Sequence, residues 1–140
     1  MSGPRGLPSN KILSEHSDQF SRIYMRSDEI VEVHLLATYY NGERVSAVIR
    51  KIKEHNTRPR LLVLVITEAR SMVTYSGMKT VFSPSAVNYS MARAYVFQTY
   101  VQFFLARFGK FIVRPKTPMR FFKHRSSAET WLSTFQGQGI

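Results

Sequence analysis

Hydrophobic positions change period several times along the 140-residue chain, and each change marks an element. Phe20, Ile23 and Met25 sit near strand spacing in FSRIYMR. Ser27–Asp28 offers a turn. Ile30–Tyr40 then alternates, with Val31, Val33 and Leu35 on one face and Glu32 and His34 on the other. The two runs predict an antiparallel hairpin. Asn41–Gly42 breaks the second strand and can cap a helix. Val45, Val48, Ile49 and Ile52 form a helical stripe, with Arg44, Arg50, Lys51, Lys53 and Glu54 outside it. Leu61–Ile66 reads LLVLVI, a short unbroken apolar run that predicts a central strand covered on both faces. Val73–Phe82 predicts a second helix with Tyr75, Met78, Val81 and Phe82 inward, weakened by Gly77. Ala92–Phe97 predicts another buried strand.

The remaining third is aromatic. Thr99 and Gln102 have capping-box spacing, and Tyr100, Val101, Phe103, Phe104, Leu105 and Phe108 lie between them and Gly109 or alongside. A helix apolar nearly all round must bury itself in a core or a partner. The reading here is self-association through Tyr100, Phe103, Phe104, Arg107 and Phe108, most simply as a homodimer. Met119–Lys123 predicts a short strand after Pro118. Ser126 and Glu129 then stand three apart as a second capping box, and Ala128, Trp131, Leu132 and Phe135 define one helical face. Trp131 is expected as a core anchor. The order β-β-α-β-α-β-α-β-α predicts an α/β fold, a single mixed sheet with helices packed on it. The domain spans 18–136, with a flexible arm over 1–17 and a short tail over 137–140.

Charge changes this picture little. The net charge is +11, and residues 70–140 hold ten Lys/Arg against Glu129 alone. The basic residues are scattered singly and form no basic helix, which favours a solvated surface over a nucleic-acid site. The alternative is a basic domain that binds nucleic acid or an anionic or lipid surface, the latter with Lys110, Arg114 and Lys116 beside Phe111 and Ile112. Cysteine is absent, which excludes disulfides and thiolate metal sites. The N-terminal stretch has no apolar signal-peptide core, so a cytoplasmic protein is expected.

Candidate chemistry is sparse. The four histidines lack metal-ligand spacing, and no nucleophile elbow or glycine-rich phosphate loop appears. No catalytic residue, metal or cofactor is assigned, and the chain reads as a non-enzyme. The best polar candidate is the loop after the central strand, with Thr67, Glu68, Arg70 and Ser71, because open α/β sheets bind ligands beyond their strand carboxyl ends. The expected partners are a second copy, a protein, or a small apolar or anionic ligand.

The element order over Phe20–Phe135, with Phe121 and Phe122 before an A-x-x-W-L helix of Ala128, Trp131 and Leu132, resembles the STAS domain, the fold of bacterial anti-sigma-factor antagonists. The strand, serine or threonine, Phe-rich helix and proline pattern of Ala92–Pro118 is similar too. The resemblance implies a regulatory module acting by protein or ligand binding. Phosphorylated antagonists of this fold carry an Asp-x-Ser motif after the central strand. Here that place reads Ile66-Thr67-Glu68-Ala69-Arg70-Ser71, without the aspartate, and Ser71 is a displaced equivalent at best.

Overall fold

A computed structural model describes residues 12–55, 61–81, 83, 90–99 and 118–136. Its strands are β1 (Ile12–Ser17), β2 (Ser21–Arg26), β3 (Ile30–Leu35), β4 (Tyr39–Tyr40), β5 (Leu61–Thr67), β6 (Met72–Val73), β7 (Ser90–Val96) and β8 (Met119–Phe122). Six of them form the main sheet, in the order β1-β2-β3-β5-β7-β8. β1, β2 and β3 make an antiparallel meander, whereas β5, β7 and β8 join parallel to β3. β4 and β6 pair in parallel beyond the carboxyl ends of β3 and β5.

The hairpin and central strand form as the pattern predicts, except that the second hairpin strand, expected over Ile30–Tyr40, ends at Leu35, and Tyr39–Tyr40 joins the separate pair with β6. β5 is buried along its length except for partly exposed Ile66, as an unbroken apolar strand between two helix-covered faces must be. The β2–β3 turn places Glu29 at φ 72°, the left-handed region. Asp28 supports it by accepting from the Ile30 amide at 3.4 Å.

Helices cover both faces. α1 (Gly42–Glu54) and α2 (Tyr75–Val81) lie over one, and α3 (Arg125–Ser133) packs on β5, β7 and β8 across the other. Asn41 caps α1, its Oδ1 accepting from the Arg44 amide at 2.9 Å. Val48, Ile49 and buried Ile52 join Ile23, Val33, Val63 and Tyr95 in one core. Leu62, Leu64, Ala92, Ala94, Ala128 and Leu132 make the other. Small residues on β7 let α3 approach closely.

Five further expectations need correction. Ile12–Ser17, expected within the flexible arm, forms the edge strand β1. Its exposed Ile12 and Leu13 give no buried stripe from which to read a strand. The second helix begins at Tyr75, Met72–Val73 being β6, and Tyr75 is 80% exposed instead of inward. Gly77 is there for contact and not as a weak point: a Cβ at this position would collide with the Tyr40 carbonyl oxygen and stand 2.9 Å from Val73 Cγ1. Trp131 is only half-buried, against Phe122 and Phe135, while its neighbour Leu132 is fully enclosed. The Ser126–Glu129 capping box does not form. His124 is the N-cap residue, without a side-chain cap, and Glu129 is engaged elsewhere.

The aromatic residues Tyr100, Phe103, Phe104, Arg107 and Phe108, and the dimer expected of them, lie outside the described residues.

Candidate functional site

Between the α1–α2 layer and the sheet lies a cavity of about 320 Å³. Its floor includes Val33, Val65 and Phe97, and its roof includes Val45, Ile49 and Met78. The sequence dictates this wall. Alternation on β3, β5 and β7 sends every second side chain to one face, and the α1 stripe supplies the opposing surface. The close α1–α2 approach and the β4–β6 pair hold the end of the cavity nearest the strand carboxyl termini. Tyr40 anchors that end. Its buried hydroxyl lies 2.6 Å from the Phe20 carbonyl oxygen and 2.7 Å from that of Leu36, and burial pushes its pKa up.

The polar loop residues divide around this cavity. Thr67 closes β5, is buried, and donates its hydroxyl to the Val96 carbonyl at 3.0 Å. Ser71 is buried as well, and its hydroxyl donates to the Glu68 carbonyl at 2.7 Å. Both line the cavity. Glu68 and Arg70 are exposed. The loop is therefore the end wall of the cavity, with two of its side chains inside and two outside. A phosphoryl group could reach the Ser71 hydroxyl only if this turn opened.

Residue-by-residue reading missed the polar groups of the floor. Arg93, in the middle of β7, is 1% exposed and lines the cavity. Its Nη1 donates to the Tyr95 hydroxyl at 3.0 Å. A strand period of two puts Arg93 and Tyr95 on one face, so their pairing was legible once the strand was known.

The opposite face carries an ion network. Arg26 is wholly buried and donates through Nε and Nη2 to the Asp28 carboxylate at 3.0 and 2.6 Å. Its Nη1 reaches Glu32 Oε1 at 2.8 Å and Glu129 Oε2 at 2.9 Å. Arg125 Nη2 donates to the same Glu32 oxygen at 2.6 Å, and Arg125 Nε to Glu129 at 3.3 Å. His34 Nε2 sits 2.5 Å from the other Glu32 oxygen. Burial alone would raise the Glu32 carboxyl, but the His34 hydrogen bond and the charges of Arg125, His34 and Arg26 outweigh it and hold the group at about 2. Burial would likewise lower Arg26, yet its hydrogen bonds to Asp28 and Glu129 raise it. The network is an internal clamp between the hairpin and α3, with its carboxylates committed to fixed cations.

Of the remaining histidines, His16 and His55 stack at 3.6 Å and His124 precedes α3. Among the described residues no group of three His, Asp or Glu side chains could hold a metal ion. No described helix is long and apolar enough to cross a membrane.

No family model matches the chain, and comparison with curated proteins finds no match. Among solved structures the chain is similar to an uncharacterized protein from the DUF3478 family with a SpoIIAA-like fold from Shewanella loihica PV-4. The sequences are 14% identical, the TM-score is 0.51, and the match covers 94% of this chain and 98% of that one. The six-stranded mixed sheet with helices on both faces is thus a SpoIIAA-like, STAS-like fold.

Proposed function

We propose that this chain is a non-catalytic STAS-like binding module that takes a small apolar ligand between its sheet and the α1–α2 layer. The observation that carries this reading is the cavity itself. Its 320 Å³ lies at the lower end of the range for small-molecule sites, and branched aliphatic and aromatic side chains line it around a few placed polar groups. The non-catalytic part rests on the commitment of the titratable groups. Glu32, Asp28 and Glu129 are each held by arginine, and no acid–base pair among the described residues faces the cavity.

The test is direct. 1-Decanol, a neutral linear probe, is titrated into the intact protein and followed by methyl NMR. Shifts concentrated at Val33, Ile49 and Met78, and abolished by a filling substitution such as Val48→Phe, are expected. Shifts scattered over the surface, or none at saturating probe, would overturn the reading.

A further inference from the structure

We propose that the cavity opens to solvent at the β5–β6 turn and takes a neutral single-chain amphiphile tail first, leaving the head group outside beside Met72. This rests on the reading of the cavity as a site for an apolar ligand. It specifies which way that ligand lies and what it carries at its outer end.

The sheet gives the cavity a direction. Val33, Val65 and Tyr95 stand in register on β3, β5 and β7, and Leu35 and Thr67 form the next row toward the strand carboxyl ends. Both rows line the cavity. The inner row is enclosed, with Val33 at 1%, Val65 at 6% and Tyr95 at 8% exposure. Arg93 lies one row further back and is already engaged, donating to the Tyr95 hydroxyl at 3.0 Å. The β7 part of the floor runs from Arg93 to Phe97, about 13 Å at the usual strand rise.

Exposure rises at the carboxyl end. Thr67 and Ser71 are buried in the end wall, but Ala69 and Met72 line the cavity and are also exposed, Met72 at 65%. A residue that is wall and surface at once marks a mouth. Fixed bonds frame it. The Met72 amide donates to the Thr38 carbonyl at 2.9 Å and the Thr74 amide to that of Tyr40 at 3.0 Å, which holds β6 against β4. The Tyr40 hydroxyl is anchored in turn on the Phe20 and Leu36 carbonyls. The Met72 side chain is unbranched and flexible, so it can swing aside for an entering chain while the frame stays in place.

An apolar interior with one open end suits hydrocarbon inside and a polar group outside, where that group keeps its water. At about 30 Å³ for a water-sized group, the 320 Å³ cavity holds roughly ten such groups, a medium-length chain. The turn at the rim carries one exposed charge of each sign, Glu68 and Arg70. Their opposite signs give the rim no net attraction for an anionic or a cationic head, and a neutral head follows.

The experiment titrates n-decyl-β-glucoside, below its micelle concentration, into the intact protein and compares it with 1-decanol, which has the same chain and no sugar. The glucoside should bind within about threefold of decanol, because the sugar stays in water. NMR contacts should run from the sugar protons to the Met72 methyl and from the tail methyl to Tyr95. Decyl sulfate should gain nothing over the glucoside; a preference for it of about tenfold or more would overturn the neutral head. Met72→Trp, at an exposed position, should slow association and dissociation of decanol together by about tenfold and leave its Kd within about threefold. If decanol binds and the glucoside does not, the cavity has no open end for a head group, so this inference falls and the apolar site stands. Sugar contacts at Phe121 or Val81, or decanol rates unchanged in Met72→Trp, put the mouth elsewhere and overturn it as well. If neither probe binds, the cavity is not a ligand site and both readings fall.

Discussion

Glu32→Gln tests the clamp on the α3 face. The wild-type carboxylate lies at about 2 in the folded chain against an ordinary 4.5. That gap corresponds to about 3 kcal/mol of folding stability at neutral pH. The sign comes from the direction of the shift. A depressed carboxyl stabilises the fold in full above its unfolded value, and this contribution drains away as pH falls through the folded value. Roughly half of it therefore survives at pH 3. Glutamine keeps the shape and an acceptor oxygen but cannot carry the charge. Arg26 retains Asp28 and Glu129 after the change, and Arg125 retains Glu129, so neither cation is stranded. The cost should then stay near 3 kcal/mol, without the extra penalty of a buried lone charge. Urea unfolding of both proteins at pH 7 and pH 3 measures it. The variant should be less stable by about 3 kcal/mol at pH 7, and by about half that at pH 3. A deficit below about 1 kcal/mol at pH 7, or one unchanged at pH 3, would refute the electrostatic account of the clamp.

Gly77→Ala should cost at least about 1–3 kcal/mol, the overpacking range, because its methyl group meets the Tyr40 carbonyl and rigid backbone cannot yield; thermal unfolding reads it. Leu132→Ala, at a fully enclosed position, should lose about 2–5 kcal/mol, while Trp131→Ala should lose less than Leu132→Ala; equal losses would contradict the packing described. Glu29→Gly removes a left-handed non-glycine residue and should raise the denaturation midpoint, gaining about 1 kcal/mol; a fall would show that the turn does not strain Glu29.

Where the sequence predicts well, one local signal suffices. LLVLVI is a buried strand because nothing polar interrupts it. The α1 stripe and the Ala128–Leu132 face repeat at helical period inside one segment, and the structure buries both. Where it fails, the deciding partner is remote. Glu129 has ideal capping spacing from Ser126, yet Arg26, 103 positions away, takes its carboxylate into a buried cluster. Glu32 looks like the solvent side of an alternating strand until Arg125, 93 positions on, arrives against it. Both contacts depend on Arg125 and Glu129 of α3 reaching the hairpin from across the sheet, which no local pattern encodes. β4 and β6 are two residues each, below the length at which alternation can be read. The polar loop was legible as the end of β5, but its role as an end wall depends on Tyr40 and Gly77 from elsewhere.

The clamp also governs when the fold can form. α3 has nine residues, too few to persist as a helix by itself in water, so it exists only while docked. Part of that docking is the Arg125–Glu129 turn seated on Arg26 and Glu32, groups of the antiparallel hairpin. The hairpin pairs near neighbours and can close early, whereas the parallel strands between it and α3 must close long loops first. Until they do, Arg26 has only the hairpin's own carboxylates, Asp28 and Glu32, among the members of the clamp. Backbone amides of α3 and β2 should therefore exchange with deuterium as one cooperative unit.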